Sequence, residues 1–151
     1  MLYDFLRNAV ERHLDETRPL ILQLDDELIH RKPIPDVRVM GEVALHLIRS
    51  IEYYLRGLSE GIWEPAPYTL DKYGSFESLS GLVEEVFERA KNYMKQLSSS
   101  DLSVIIDSFN RPASVGEILL EMLEHSIHHR GQLTVYFRLL GVKPETILYI
   151  I

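Results

Sequence analysis

A chain of 151 residues with 46% hydrophobic and 26% charged residues can bury a core unaided, which excludes an intrinsically disordered protein. It contains no cysteine, so disulfides, thiolate metal sites and a cysteine nucleophile are excluded together, and any metal must take nitrogen or oxygen ligands. A formal charge of -7 with no basic stretch speaks against nucleic acid as a partner.

The length suits one domain over residues 1–151. Asp4 and Arg7 interrupt the apolar stretch at the start of the chain, unlike a signal peptide, and no apolar run is long enough to span a membrane. A cytoplasmic protein without a membrane partner is expected. From Leu2 to Leu24, Leu2, Phe5, Leu6, Ala9, His13, Thr17, Ile21 and Leu24 recur at helical spacing and predict a first helix. Pro19 removes a backbone donor and predicts a kink or break between Thr17 and Leu20. Lys32-Pro33-Ile34-Pro35 cannot continue a helix, and Asp36 is placed to cap the next.

The second helix is predicted over Val37–Ser59, ending near Gly57 and Gly61, with Val39, Val43, His46, Leu47 and Tyr54 on one side. An irregular stretch rich in proline, glycine and aromatics follows from Gly61 to Gly74. The third helix starts near Phe76 to Ser78 and reaches Leu97, with Leu79, Leu82, Val83, Val86, Ala90, Tyr93 and Leu97 inward. Ser98-Ser99-Ser100 stops it. In the connection from Asp101 to Ala113, Val104-Ile105-Ile106 is either a short extended segment or plain loop packing. Ser114-Val115-Gly116-Glu117 is a capping box opening a fourth helix, which Gly141 and Pro144 end near Leu140.

Four helices and no convincing sheet predict an all-α fold, a four-helix bundle. The first link is short enough for antiparallel neighbours. The second, about fifteen residues, is long enough to cross the bundle and leave helices two and three parallel, in an up-down-down-up order.

His125 and His129 lie about 40° apart on the helical wheel and so project side by side. Ile118, Met122, Leu133, Tyr136 and Leu140 define the core stripe, and both histidines fall within it, where each ring nitrogen needs a partner. A hydrogen-bonded core and a metal site are both open readings of that pair. On helix two, His46 shares its face with Val39, Val43, Ser50 and Tyr53, which makes a third ligand available. Three neutral imidazoles leave a fourth position open, the arrangement of a catalytic rather than a structural site, and nitrogen donors suit zinc, nickel, copper or iron. His13 is a fourth ligand, an outer partner or a satisfied core residue, the last favoured. His128 flanks the pair, His30 is expected to be solvated, and Glu121 and Gln132 are either orienting groups or ordinary edge residues.

The run His125-Ser126-Ile127-His128-His129-Arg130-Gly131-Gln132-Leu133 resembles the DinB family of damage-inducible and YfiT-like metalloproteins. The likeness extends to Gly41-Glu42, Tyr53-Tyr54 and Leu140-Gly141-Val142-Lys143-Pro144. In that family a helix-two histidine and a helix-four pair bind a divalent ion, and His46, His125 and His129 hold those places here. The resemblance implies an up-down-down-up bundle, often a homodimer. It also implies one divalent metal ion, zinc or nickel, and chemistry on a small-molecule substrate. Some relatives are transferases or isomerases using a low-molecular-weight thiol, and others are metal-dependent hydrolases. The rival expectation is a stress-associated protein whose metal only stabilises the bundle. Trp63, Tyr68 and Tyr73 would be partly exposed in a monomer and accord with a dimer, or else they cover one end of the bundle.

Overall fold

The computed structural model describes residues 1–107 and 111–145. Its helices are α1 (Leu2–Ile21), α2 (Met40–Glu60), α3 (Leu70–Tyr73), α4 (Phe76–Gln96) and α5 (Val115–Leu139). Single 3-10 turns lie at Leu28–His30 and Asp101–Ser103, and two short strands, β1 (Ile105–Asp107) and β2 (Pro112–Ser114), pair antiparallel with Ile106 opposite Ala113. The extended reading of the Val104–Ile106 region is therefore the one adopted, shifted by one residue.

Local chemistry sets the helix ends. The Ser75 hydroxyl accepts from the Ser78 amide and the Ser114 hydroxyl from the Glu117 amide, each closing a capping box. α2 ends on Gly61 at φ 72°. Beyond α5, Gly141 at φ 76° lets the Val142 amide reach the Phe137 carbonyl at 2.8 Å, which satisfies an otherwise orphaned acceptor.

Four local expectations are corrected. α1 is not broken at Pro19; it continues to Ile21, and the Leu22 amide still reaches the Arg18 carbonyl at 3.0 Å. The missing proline donor removes one bond near the end of the helix, which packing of Leu20 and Ile21 into the core outweighs. Leu2 and Phe5 are exposed, so the inward face of α1 begins at Leu6. Asp36 is not a cap: it sits at φ 64°, and Val39 precedes α2 without a side-chain cap. The entry is fixed instead by the Met40 amide, which pairs with the Arg31 carbonyl at 2.9 Å. Within the stretch expected to be irregular, Leu70–Tyr73 forms one helical turn.

The four long helices form the bundle. α1 and α2 each pack on α4 and α5 and lie across the core from one another, so the helices joined by the first link are not side by side. Pairings along the helices give their directions. Tyr3 of α1 meets Met94 of α4 while Arg18 meets Glu84, so α1 and α4 are antiparallel. Glu52 meets Arg89 and Ser59 meets Gln96, so α2 and α4 are parallel. His13 meets Arg130, and Gln23 meets Lys143 just beyond α5, so α1 and α5 run together. The order is up-down-down-up, as the long crossover predicts.

Every residue predicted to face inward from the third helix is buried, Leu97 just past the end of α4, and Val43, Leu47, Ile118, Met122, Leu133 and Tyr136 are buried in α2 and α5. The crossover is tied to the bundle by a buried polar group: Glu52 accepts from Tyr68 Oη and from Arg89 Nε, the latter at 2.8 Å. Among the described residues no helix is long and apolar enough to cross a membrane.

Candidate metal centre

Facing α2 and α5 bring His46, His125 and His129 together. One ring nitrogen of each lies within 4.8 Å of the others. His46 Nε2 stands 3.2 Å from His125 Nε2, and the ring of His129 lies 4.5 Å from that of His46 and 4.6 Å from that of His125. The helical wheel placed the pair in the core, but all three rings are half-buried. A wheel gives a side chain's direction; its depth depends on what covers it, and here the covering groups are another imidazole and Tyr54, 6.3 Å from His125 ring to ring. The cluster is therefore a rim feature, and solvent or a small molecule can reach it.

The environment keeps these imidazoles neutral, the form that coordinates metal. Burial is the main cause for each. His46 is pushed down to about 4 by burial, by its two histidine neighbours and then by Arg38 and Arg49. His125 is lowered by burial and then by His129 and His128. His129 is lowered by burial, against an opposing pull from its bond to Gln132.

A metal ion fits this donor set. Neutral imidazole carries one hydrogen and one lone pair, so three clustered rings present acceptors that two nitrogens facing each other at 3.2 Å cannot all satisfy. His125 Nδ1 is buried with no hydrogen-bond partner among the described residues. His129 is oriented from behind: its Nδ1 donates to Gln132 Oε1 at 2.8 Å, and Gln132 Nε2 donates to Tyr136 Oη at 3.0 Å. This turns the other nitrogen of His129 toward the cluster.

The remaining residues singled out in the sequence separate cleanly. Gln132 takes the orienting role; Glu121 instead forms an ion pair with Arg111. His13 is a core residue, its Nδ1 accepting from the Arg130 guanidinium at 2.9 Å. His128 is exposed at the edge, 5.0 Å from the ring of His129. His30 is exposed but not simply solvated, since its Nε2 donates to the Gly74 carbonyl at 2.8 Å.

Beside the cluster, Tyr54, Tyr53 and Trp63 form a row of rings, with centroids 5.8 Å and 5.5 Å apart. Trp63 reaches it only because residue 57 is glycine; a Cβ there would fall 2.3 Å from the indole. Tyr53 was legible on the face of His46, whereas Trp63 arrives from the crossover and carries no sequence signal. Arg38 and Arg49 were also missed; only the i,i+3 spacing of Arg49 from His46 marks it. Tyr68 is buried, Tyr73 meets it edge to face at 5.5 Å between ring centroids and Trp63 is half-buried, so these three cover the bundle.

A model described as the DinB family matches residues 4–150. The chain is 25% identical over 132 residues to the uncharacterized protein YjoA of Bacillus subtilis strain 168, covering 85% of this chain and 84% of that protein. A crystal structure of YjoA superposes with a TM-score of 0.79 at 24% identity, covering 94% of this chain and 95% of the other. A DinB-like protein from Bacillus cereus ATCC 10987 gives a TM-score of 0.75 at 25% identity, over 89% and 90% of the two chains. One from Exiguobacterium sibiricum 255-15, described as a putative DinB family member, gives 0.73 at 24% identity over 98% and 97%.

Proposed function

This chain belongs to the DinB family, and from that premise we propose that it is a metal-dependent transferase or hydrolase acting on a small molecule, with one zinc or nickel ion held by His46, His125 and His129. Bound there, such an ion supplies Lewis-acid activation of a low-molecular-weight thiol or of water. The observation that carries the reading is the convergence of three neutral, half-buried imidazoles from two facing helices. Gln132 holds His129 in one orientation, and the row of Tyr54, Tyr53 and Trp63 offers an apolar wall to an organic substrate. An ion that only braced the bundle would call for a closed shell of four protein ligands. Among the described residues no fourth histidine, aspartate or glutamate joins the cluster, which favours the enzyme over the stabilising role.

Calorimetric titration of metal-free protein with zinc and with nickel tests the site, and one ion per chain is the expected stoichiometry. The loaded protein is then assayed with small thiols paired with electrophiles, and with hydrolysable esters and amides. Metal-dependent turnover of either class supports the reading. Absence of stoichiometric binding removes it, and tight binding without turnover of either class leaves the stabilising role instead.

A further inference from the structure

The surroundings of the three histidines are ordered along α2. Because α2 and α5 run antiparallel, going from His46 toward the start of α2 passes from His125 to His129 on the facing helix. The aromatic row lies the other way: Tyr54 meets the ring of His125 at 6.3 Å, and Tyr53 and Trp63 continue it. Arg38 lies eight residues before His46, at the entry to α2, where the bond from the Met40 amide to the Arg31 carbonyl fixes the backbone. It therefore stands at the His129 end, and its charge is felt at both His46 and His129. A cation and an apolar wall thus flank the imidazoles from opposite ends.

The two arginines near the cluster differ in what they touch. Arg49 is engaged within the chain, its Nη2 3.7 Å from the Glu42 carboxylate and its Nη1 donating to the Tyr68 carbonyl. Arg38 is exposed and makes no ion pair or side-chain hydrogen bond among the described residues. An unpaired guanidinium beside donors for a divalent cation opposes that cation by Coulomb repulsion. An anion lying between the two turns the repulsion into two attractions. One guanidinium offers a single charge and a planar two-pronged fork, which match one carboxylate.

Resting on the reading of the cluster as a metal centre, we propose that the substrate carries a carboxylate, which Arg38 binds at the His129 end of the site. The rest of the molecule extends over the three histidines toward Tyr54, Tyr53 and Trp63. Arg38 is then a specificity-determining residue, and its task is to select organic anions rather than to hold the metal.

The zinc-loaded full chain is titrated calorimetrically with straight-chain mercapto carboxylates of increasing length and with the matching mercapto amides. The thiolate is a zinc ligand in both series, and the chain has no cysteine to form mixed disulfides. The carboxylate of the best-fitting length is expected to bind more tightly than its amide, and Arg38→Ala is expected to cut that preference at least about fivefold while amide binding stays unchanged. Arg18→Ala removes the same charge at the opposite, α1–α4 edge of the bundle and is expected to leave the preference as it is. Zinc itself is expected to bind Arg38→Ala at least as tightly as the wild type, since a neighbouring cation has been removed. An equal preference in wild type and Arg38→Ala, an equal loss in Arg18→Ala, weaker zinc binding by Arg38→Ala, or a zinc-loaded protein that holds neither thiol overturns the proposal while leaving the metal centre standing. A wild type that binds no zinc overturns the metal reading and this inference together.

Discussion

Gln132 Oε1 stands 2.8 Å from His129 Nδ1, one helical turn along the same face of α5, and its own Nε2 is held by Tyr136 at 3.0 Å. Two side chains of α5 thus set the ring orientation of a third. Removing the carboxamide with Gln132→Leu is expected to weaken zinc binding about 10–100-fold, the usual cost of losing an orienting partner. Gln132→Glu keeps an acceptor for the Nδ1 hydrogen and is expected to bind at least as tightly as the wild type. Calorimetry gives the affinities, and nitrogen-15 spectra of the metal-free protein report the His129 tautomer. Equal affinity in the leucine variant, with an unchanged tautomer, would sink the assignment.

His46, His125 and His129 are expected to behave as one site. Alanine at any of them should lower zinc affinity more than about 100-fold, since a lost ligand costs more than a lost orienting partner. His30→Ala should change it little, because that ring is engaged with Gly74 in the crossover. Should His46→Ala bind as tightly as the wild type, the α2 ligand is wrong.

The Glu52 carboxylate is buried between Tyr68 and Arg89 and fastens the crossover to both α2 and α4. Arg89→Ala leaves that charge unpaired and should cost about 3 kcal/mol, the lower end for a broken buried pair because Arg89 is itself a third exposed. Tyr68→Phe should cost about 1 kcal/mol. Urea unfolding of the single and double variants measures both, and the double variant should show less than the sum, since the two share one partner.

Stability should fall in acid through His13. Burial and then the Arg130 charge push its pKa down to about 3, from an ordinary value of 6.5. Between those values the unfolded chain binds a proton that the folded chain does not, so stability is complete above about pH 6.5 and is lost as the pH falls toward 3. At pH 5 the loss from this residue should be about 2 kcal/mol. Unfolding of the metal-free protein at pH 7.5 and pH 5 checks it. His13→Gln should lose correspondingly less between the two pH values, and an equal loss in both proteins would rule this origin out.

Helical spacing alone determined the all-α bundle, the inward face of α4, the capping box that opens α5 and the side-by-side placement of His125 and His129. These features repeat every turn, and neighbours within a few residues decide them. His46 was legible as an inward-facing residue of helix two, and the family motif supplied its pairing with the other two. Tertiary structure decided how deep the three rings lie, because depth depends on which side chain arrives from the opposite helix. It decided that α1 survives Pro19, since core packing of Leu20 and Ile21 outweighs one lost hydrogen bond. It also decided that Arg130 goes to His13, that Trp63 docks on Gly57 and that Glu52 holds Tyr68 and Arg89. Each of these joins segments far apart in the chain, and no local pattern encodes a contact whose partner is chosen by the way the helices pack.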